Sequence, residues 1–554
     1  MTYAPADEAS ERLLNDRVVS RIWARDISVW GATPATVEAR SIATRLGWLD
    51  VPRTMAGELE RVARLAHAAR GERVKAVYLL GMGGSSLCAE VLQSVYGVAE
   101  GSPGLFVLDT TDEQAITAAA ARIDPARTWF IVASKSGGTV EVASLERFFR
   151  AKIASASGNK AGRQFIAITD PGTALQQLAT TNGYREVFLN PADIGGRFSA
   201  LSLFGLVPTA LIGASPDDLL EAGAAMAEGC RQENHANAGL ELGAFIGSAA
   251  RAGRDKLTLA LPPSLASLGL WIEQLIAEST GKHDRGALPV VDEPLGRPDE
   301  YGQDRAFVAI STERDEPDAQ KLRALEQAGY PVLRLSTRID GLGSEFFRWE
   351  FATAVAGAVL GINPFDEPNV SEAKEKTKAL LTSFARDGAL PEPPVTASSG
   401  EVSVGSPTFQ GSSPSAVVAE ALASLRPGDY VAFLSYLPAT ADVESAVADI
   451  RHGIRARFRV ASTFGVGPRY LHSTGQYHKG GPNTAIAFVL TNDDRTRTEI
   501  PDAGYSFSVL KRAQALGDAQ ALAAHDRRTV RIHVKAPLEN AARALLDLFT
   551  EALK

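Results

Sequence analysis

The feature that most constrains the fold of this chain is an alternation of short apolar runs with helix-length segments between residues 74 and 190. The apolar runs are KAVYLL, GLFVLD, TWFIVAS, QFIAITD and REVFLN. Continuous apolar runs of this length are typical of strands that are buried on both faces. The pattern therefore predicts an α/β fold in which helices cover both sides of a parallel sheet.

The same alternation returns twice further along the chain. KLTLALP, AFVAIS and PVLRLS predict the strands of a second unit, and DYVAFLSYL, FRVASTF, TAIAFVLT and TVRIHV predict those of a third, smaller unit. The stretch between the second and third units is rich in Pro, Gly and Ser, which predicts a linker or a loose hairpin. We therefore divide the chain into an N-terminal helical segment (1–65), a first α/β domain (66–235), a second α/β domain (236–390), a linker (391–416) and a C-terminal α/β unit (417–554).

Composition narrows the classes of partner. The net charge of -8 disfavours nucleic acid, because a phosphate backbone requires a concentrated basic surface. No apolar run approaches the ~18 residues that cross a bilayer, so we expect no membrane partner. The polar N-terminus lacks the apolar core of a secretory signal, and Cys88 and Cys230 have no metal-site or disulfide spacing. We expect a cytoplasmic protein without a metal site or cofactor.

The loop GMGGSS at 81–86 joins a predicted strand to a predicted helix. A strand that ends in glycines and enters a helix presents free backbone N–H groups at the positive end of the helix dipole, and Ser85 beside Gly84 adds a hydroxyl donor. The spacing does not match G-x-G-x-x-G, and no Gly-Lys-Ser/Thr follows, so neither a dinucleotide site nor a P-loop is indicated. Alone, the loop fits an ordinary turn equally well.

A second loop of the same kind favours the anion site. WFIVASKSGGTVEV places Ser134, Lys135, Ser136 and Thr139 between a predicted strand and a predicted helix. Hydroxyls and backbone N–H groups at a helix N-terminus can surround the oxygens of a phosphate. Because loops at adjacent strand ends of a parallel sheet meet at the crevice where such sheets bind ligands, we expect a phosphorylated small molecule there.

The two loops resemble the paired loops of the sugar isomerase domain, and the two successive α/β units resemble its double form in the glucose-6-phosphate isomerase family. Three further segments are similar to motifs of that family: IGGRFSALS at 194–202, QLIAESTGK at 274–282 and NPFDEPNVSEAK at 363–374. The resemblance implies two three-layer, parallel-sheet domains and a reversible isomerisation of glucose 6-phosphate and fructose 6-phosphate through an enediol. It also implies a homodimer, with a sugar phosphate as the substrate and no metal or cofactor.

The motifs also imply roles for individual residues. Moving a proton between C1 and C2 of a sugar needs one base, and Glu278 lies one helical turn after Gln274, so both side chains project from one helix face. Alone, Glu278 reads as a solvated surface residue, but its place in the motif favours the base, with Gln274 orienting the substrate. By resemblance, Arg197 stabilises the enediolate rather than pairing with a surface carboxylate, and Lys374 lies near the sugar ring.

Two positions depart from the family pattern. Position 367 is Glu where Gln is usual, and position 371 is Ser where Glu is frequent. A carboxylate at 367 would repel a phosphate or an enediolate unless it pairs with a cation such as Lys374.

The usual ring-opening histidine is also missing from the stretch after Glu278, where the only histidine, His283, reads as a surface or helix-cap residue. YLHSTGQYHKGG at 470–481 resembles the LHSxGQ segment of short bacterial forms, so we assign ring opening to His472, with His478 in reserve. This arrangement resembles the isomerase portion of transaldolase and glucose-6-phosphate isomerase fusions. The segment RIWARDISVW near the N-terminus is also similar to those fusions. No eight-fold βα pattern for the aldolase half is evident.

Two alternatives remain open at this point. The first is a sugar-phosphate-binding regulator on the same fold, which would keep the hydroxyl loops but has no use for Glu278 or Arg197. The second is an isomerase that also accepts mannose 6-phosphate, since that sugar differs only at C2.

Overall fold

The N-terminal segment is helical because its apolar residues recur at helical spacing and face the body of the molecule. The computed structural model describes residues 3–33, 36–494, 496–535 and 538–554. Its first helices are α1 (Ala4–Asn15), α2 (Val18–Trp23), α3 (Val37–Ala43), α4 (Val51–Thr54) and α5 (Leu59–Gly71). Buried side chains of this segment, such as Val19, Ile22 and Trp30, join the largest apolar core. The helical segment therefore extends six residues beyond the predicted end at 65.

The first α/β unit has the predicted strands. Its elements are β1 (Ala76–Gly81), α6 (Leu87–Tyr96), β2 (Gly104–Leu108), α7 (Glu113–Ala121), β3 (Thr128–Ala133), α8 (Val140–Ser157), β4 (Phe165–Thr169), α9 (Ala174–Thr181) and β5 (Glu186–Leu189). The sheet is parallel, in the order β2-β1-β3-β4-β5, and Ala76 pairs with Gly104 on one side and Thr128 on the other. On β1, Val77 and Leu79 belong to one core and Tyr78 and Leu80 to another, so both faces are covered as predicted.

The strand order places the two hydroxyl loops side by side. From β1 the chain moves outward to β2, and from β3 it moves the other way to β4. Neighbouring strands whose connections diverge in this way form a switch point, and the crevice at their carboxyl ends is the usual ligand site of open α/β sheets. The loops 81–86 and 134–139 follow β1 and β3. They therefore flank this crevice, as the sequence predicts.

The second α/β unit is smaller than the first. Three helices precede it, α10 (Leu203–Leu211), α11 (Pro216–Gly229) and α12 (Ala238–Arg251). Its elements are β6 (Lys256–Ala260), α13 (Leu268–Thr280), β7 (Leu288–Val290), β8 (Arg305–Ser311), α14 (Ala319–Gln327), β9 (Val332–Ser336), α15 (Leu342–Leu360) and α16 (Val370–Asp387). The parallel order is β7-β6-β8-β9. Strand β7 was not predicted, because it is a three-residue edge strand that contains Pro289, and proline lowers the strand signal although it is tolerated at an edge.

The third unit has a six-stranded sheet. Its elements are β10 (Ala397–Ser399), β11 (Val402–Gly405), α17 (Pro414–Ala423), β12 (Tyr430–Ser435), α18 (Ala441–Phe458), β13 (Ala461–Val466), α19 (Gly475–Gly480), β14 (Ala485–Asn492), α20 (Phe507–Ala524), β15 (Arg528–Val534) and α21 (Leu538–Ala552). The order is β10-β11-β15-β14-β12-β13, in which β12 to β15 are parallel.

The segment 391–416 is not a simple linker. Strands β10 and β11 form an antiparallel hairpin, and β11 pairs with β15, so that Val404 lies opposite Ile532. Part of this segment therefore belongs to the third sheet, which corrects the predicted boundary. Of the two expectations for this stretch, a linker or a loose hairpin, the hairpin forms; its strands are short and lie at the sheet edge, where polar residues are tolerated.

The third unit packs closely on the other two. Helix α20 packs against α16, and Phe507, Leu510 and Ala513 share a core with Phe149 of α8. Helix α13 of the second unit contacts α6 of the first and α19 of the third. The crevice of the first unit and the helix with Glu278 are thus brought together by contacts among all three units. None of the helices in the described ranges has both the length and the apolar character needed to span a bilayer.

Candidate active site

The first hydroxyl loop is held against two other motifs. Residues Gly83–Ser85 form a short 3-10 turn, and Ser86 precedes α6. A Cβ atom on Gly84 would lie 2.1 Å from the carbonyl oxygen of Gly196, so only glycine fits there. Gly83 has a φ of +54°, and a Cβ atom there would lie 2.7 Å from the carbonyl oxygen of His472. The glycines therefore allow the IGGRF motif and the histidine segment to approach this loop.

The second hydroxyl loop presents donors at the start of α8. The Oγ of Ser134 lies 3.2 Å from Oγ1 of Thr139, and the Thr139 side chain leaves the first N–H groups of α8 uncapped. The Lys135 ammonium forms an ion pair with Asp170 and donates to the carbonyl of Ala192 at 3.2 Å. Ser136 is exposed, and its Oγ accepts from the N–H of Gly138 at 3.3 Å. The groups of this loop that can bind an anion are therefore its hydroxyl and backbone N–H donors, because the Lys135 charge is already paired.

Glu278 is buried near the end of α13 and is bridged to another motif by Gln274. The Nε2 of Gln274 donates to Oε2 of Glu278 at 3.1 Å and to the carbonyl oxygen of His472 at 2.8 Å. The Oε1 of Gln274 is buried without a hydrogen-bond partner among the described residues. Burial raises the pKa of Glu278, and the nearby Arg197 charge opposes that rise. A carboxyl with a raised pKa suits a group that must both take and return a proton.

Arg197 is fixed by several acceptors. Its Nε donates to the Oγ of Ser279 at 2.6 Å, and its Nη2 donates to the carbonyls of Pro364 at 2.8 Å and Asp366 at 3.0 Å. Its Nη1 lies 3.7 Å from Oε2 of Glu278. The guanidinium is therefore a buried, oriented positive charge beside the carboxylate.

The negative charge of Glu367, the residue that departs from the family pattern, is neutralised by two arginines. Glu367 Oε2 accepts from Nη1 of Arg197 at 3.0 Å and from Nη1 of Arg45 at 2.7 Å. Burial alone would raise the pKa of Glu367, but the two guanidinium charges outweigh it and lower that pKa to about 2. The sequence predicts repulsion of an anion by Glu367 unless a cation such as Lys374 pairs with it. The choice of Lys374 is corrected, because a residue of the N-terminal segment supplies the second charge.

His472 reaches the crevice from the third unit. It ends the short 3-10 turn Arg469–His472, and its Nε2 lies 3.0 Å from Oε1 of Glu141. Glu141 follows Thr139 by two residues in the second hydroxyl loop motif, and the same Oε1 accepts from Nε2 of Gln514 at 2.7 Å. Burial alone would raise the pKa of Glu141, but the charge and hydrogen bond of His472 outweigh it and hold that pKa below its usual range.

Lys374 and the two remaining histidines occupy different places. Lys374 lies exposed on α16, and its charge lowers the pKa of both Glu141 and Glu278, which places it beside the site. His478, the reserve candidate, is buried with its Nδ1 2.8 Å from the hydroxyl of Tyr430. Burial lowers the pKa of His478 to about 3, so it is a neutral core residue, and its candidacy is wrong. His283 is exposed, as predicted.

Sequence reasoning missed several contributors to this site. Glu141 lies in the segment WFIVASKSGGTVEV, two residues after Thr139, so its position near the start of α8 could have been predicted. Arg469 anchors the histidine turn to the first unit, since its Nη2 lies 3.0 Å from Oε2 of Glu90 and its Nε lies 2.7 Å from Oδ2 of Asp109. Arg469 and Gln514 carried no sequence signal, because their partners are hundreds of residues away in the chain.

Comparisons with known proteins identify relatives of this chain. The family model described as phosphoglucose isomerase matches residues 49–293. The glucose-6-phosphate isomerase of Rubrobacter xylanophilus is 28% identical over 392 residues, which are 60% of this chain and 89% of the relative. That of Heliobacterium modesticaldum is 30% identical over 393 residues, which are 60% of this chain and 87% of the relative.

The fold has a counterpart among solved structures. The crystal structure of a hypothetical protein from Thermus thermophilus superposes with a TM-score of 0.59 at 24% sequence identity, and covers 67% of this chain and 96% of its own. This likeness shows a shared fold. Together with the sequence relatives, it leads to one conclusion: the chain is a member of the phosphoglucose isomerase family, the enzymes that are also called glucose-6-phosphate isomerases.

Proposed function

We propose that this isomerase interconverts glucose 6-phosphate and fructose 6-phosphate through an enediol, with Glu278 as the base that moves the proton. The relatives named above carry this activity in their names. The single observation that carries the proposed mechanism is the Gln274 side chain, which bridges Glu278 and the backbone of His472. Through it, the proposed base and the proposed ring-opening group share one hydrogen-bonded cluster beside the hydroxyl loops.

The phosphate is assigned to the two hydroxyl loops. Backbone N–H groups at the starts of α6 and α8, with the hydroxyls of Ser85, Ser134 and Thr139, supply neutral donors for a dianion. Neutral donors hold the phosphate without placing a further positive charge beside the base. The Lys135 charge is already balanced by Asp170, so we assign Lys135 to positioning of the loop.

Ring opening is assigned to His472. The imidazole takes or gives the proton at the ring oxygen, and the Glu141 carboxylate fixes its orientation from Nε2. Lys374 adds a positive charge at the edge of the site, near the same carboxylate. Breaking the bond between the anomeric carbon and the ring oxygen leaves the open-chain aldehyde for the next step.

In the isomerisation step, one carboxyl group carries out both proton transfers at carbon. The Glu278 carboxylate removes the proton from C2, and the electrons of that bond form the C1–C2 double bond while the negative charge of the resulting enediolate develops on the aldehyde oxygen, O1. The hydroxyl proton of O2 passes to O1, and the protonated Glu278 returns its proton to C1, so that the oxygen on C2 becomes the ketone. The buried Arg197 charge, 3.7 Å from Glu278 Oε2, stabilises the negative charge that develops on the enediol oxygens.

The experiment compares the wild-type chain with Glu278→Gln and Ser134→Ala. Glucose 6-phosphate formation from fructose 6-phosphate is followed, together with binding of inorganic phosphate. We expect the first variant to lose turnover by at least ~10³-fold with phosphate binding intact, and the second to weaken phosphate binding. An inactive wild type that still binds phosphate would instead identify a sugar-phosphate-binding regulator. Mannose 6-phosphate is assayed in parallel to test the broader specificity.

We further propose a cytosolic homodimer. The resemblance to the family supports the dimer, and the two buried free thiols, Cys88 and Cys230, suit a reducing compartment. Light scattering of the purified chain should give twice the monomer mass of 58.7 kDa. A monomer mass at all protein concentrations would contradict the dimer.

A further inference from the structure

The third unit contains a cavity that includes none of the proposed active-site residues. Its volume is about 830 Å³, and it lies between α20, the end of α16, the β10–β11 hairpin and the face of β15. Cavities of ~300 to 1,000 Å³ are the usual size of small-molecule sites. The proposed function gives this space no role.

Strand β15 presents opposite chemistry on its two faces. Val530, Ile532 and Val534 alternate along it and are buried in the core of the third unit. The residues between and after them, Arg531, His533 and Lys535, line the cavity. Because successive side chains of a strand point to opposite faces, this sequence sets a row of basic groups along one wall. Arg531 and His533 are half-buried and Lys535 is exposed, so the row is accessible to a charged ligand.

The facing helix adds two more basic groups, both of which form ion pairs with carboxylates. Lys511 and Arg512 of α20 also line the cavity, with the acidic residues Glu392, Asp493 and Asp494. The Nζ of Lys511 lies 2.9 Å from Oδ2 of Asp112 and also pairs with Asp494, and Arg512 pairs with the exposed Glu392.

Arg531 is the least neutralised of these groups. It donates to the carbonyls of Pro393 at 3.3 Å and Pro394 at 3.1 Å, and no carboxylate lies within ion-pair distance of it in the part of the chain that the structure describes. Burial lowers the pKa of Arg531, and the neighbouring Arg512 charge lowers it further, against the opposing charge of Glu392. Its Nε and the Oδ1 of Asn492 are buried polar atoms without partners among the described residues.

The cavity also lies where the topology of the third sheet favours a ligand. From β12 the chain passes through α18 to β13 on one side, and from β14 it passes through α20 to β15 on the other. The neighbouring strands β12 and β14 therefore form a switch point. Tyr436, just after β12, and Asn492, at the end of β14, line the cavity at their carboxyl ends. This is the position at which the first unit carries its hydroxyl loops.

We propose that this cavity is a second ligand site, which binds a small multiply charged anion of the phosphate or pyrophosphate type. Arg531 and Lys535 supply the charge, and Arg531 Nε supplies a hydrogen-bond donor. The bound anion relieves the repulsion between Arg512 and Arg531. The site is separate from the active site and goes beyond the proposed function.

Helix α20 connects the second site to the active site. Lys511 lies on the cavity wall, and Gln514, one turn later on the same helix, holds Glu141 at 2.7 Å. A ligand that pulls on Lys511 or Arg512 therefore acts on the helix that positions the carboxylate beside His472. We expect occupancy to change kcat more than KM, because it acts on ring opening and not on the phosphate loops.

The test is calorimetric titration of inorganic pyrophosphate into the full chain and three variants. We expect two binding events in the wild type, one of which is weakened in Ser134→Ala with Thr139→Val and the other in Arg531→Gln. Loss of a charged donor should weaken the second event at least ~10-fold. Arg338→Gln, which removes an exposed arginine outside the lining of this cavity, is the matched control and should keep both events.

Wild-type binding that is abolished entirely by the Ser134 and Thr139 changes would overturn the second site, as would unchanged affinities in Arg531→Gln. If Arg531→Gln fails to fold, the exposed Lys535→Gln and Arg512→Gln changes take its place, with the same expected loss. Because the readout is binding and not turnover, failure of the second site is distinguishable from failure of the proposed isomerase mechanism.

Discussion

The backbone carbonyl of His472 accepts a hydrogen bond of 2.8 Å from the side-chain amide of Gln274. The same amide nitrogen donates to Glu278 one helical turn later, at 3.1 Å. The third unit is therefore connected to the second at the point where the proposed base and the proposed ring-opening group meet.

Replacing Gln274 by Leu should remove both bonds at nearly constant volume. The bond to the carboxylate stabilises the charged form of Glu278, so its loss raises the pKa of Glu278. Since the base must be deprotonated, the acidic limb of the kcat/KM profile should move to higher pH, and kcat should fall ~10- to 100-fold. A limb that stays in place or moves to lower pH would contradict the assigned contact.

Arg469 should act by holding the histidine turn in place. Its guanidinium pairs with Glu90 and Asp109 of the first unit, three residues before His472. Arg469→Met should lower kcat ~10- to 100-fold, because a small displacement of a catalytic group is costly, while phosphate binding stays unchanged. Arg497→Met, which breaks an exposed pair with Glu499 in the same unit, is the control and should be near wild type. Equal effects of the two changes would show that Arg469 has no specific positioning role.

Much of this arrangement could be predicted from the sequence, because it depends on residues that are close together in the chain. The strands of the first unit are continuous apolar runs, and the hydroxyl loops follow β1 and β3, so their meeting at the switch point follows from topology alone. Gln274 and Glu278 share a helix face because they are four residues apart. These features depend on neighbours in the chain, and patterns of neighbours can be read directly.

What could not be predicted depends on distant contacts. Arg45 pairs with Glu367 across 322 positions, and Gln514 reaches Glu141 across 373. No periodicity marks either residue, because their partners are set by how the units pack. The same reason explains the error at His478, whose burial against Tyr430 is a property of the third sheet and not of the segment that carries it.

Restoring the usual residue at position 367 should shift the pH profile in a defined direction. The Glu367 charge raises the pKa of Glu278, alongside the larger effect of burial. Glu367→Gln removes this like charge, so the pKa of Glu278 falls and the base stays deprotonated to lower pH. The acidic limb of kcat/KM should therefore move to lower pH, opposite to the shift in Gln274→Leu. Glu499→Gln is the charge-matched control, and a shift to higher pH in Glu367→Gln would contradict the account.

Gly84 should tolerate no side chain, although its backbone is not left-handed. A Cβ atom there would meet the Gly196 carbonyl oxygen at 2.1 Å, whereas a Cβ atom on Gly196 itself has nothing within 4 Å. Gly84→Ala should lower the melting temperature by several degrees, since ~1 to 3 kcal/mol of overpacking must be accommodated. Gly196→Ala should change it much less. Similar melting temperatures for both variants would show that the two loops do not touch as described.

The most direct test of the central claim is the fate of the hydrogen on C2 in heavy water. Glucose 6-phosphate is incubated with the wild type and with Glu278→Gln in D₂O, and proton NMR follows the C2 signal at equilibrium. Because the proton held by Glu278 exchanges with solvent in a fraction of turnovers, we expect progressive replacement of that hydrogen by deuterium over many turnovers of the wild type, and neither exchange nor conversion in the variant. Conversion that still retains the original hydrogen after many turnovers, or exchange at a wild-type rate without the carboxylate, would contradict this mechanism.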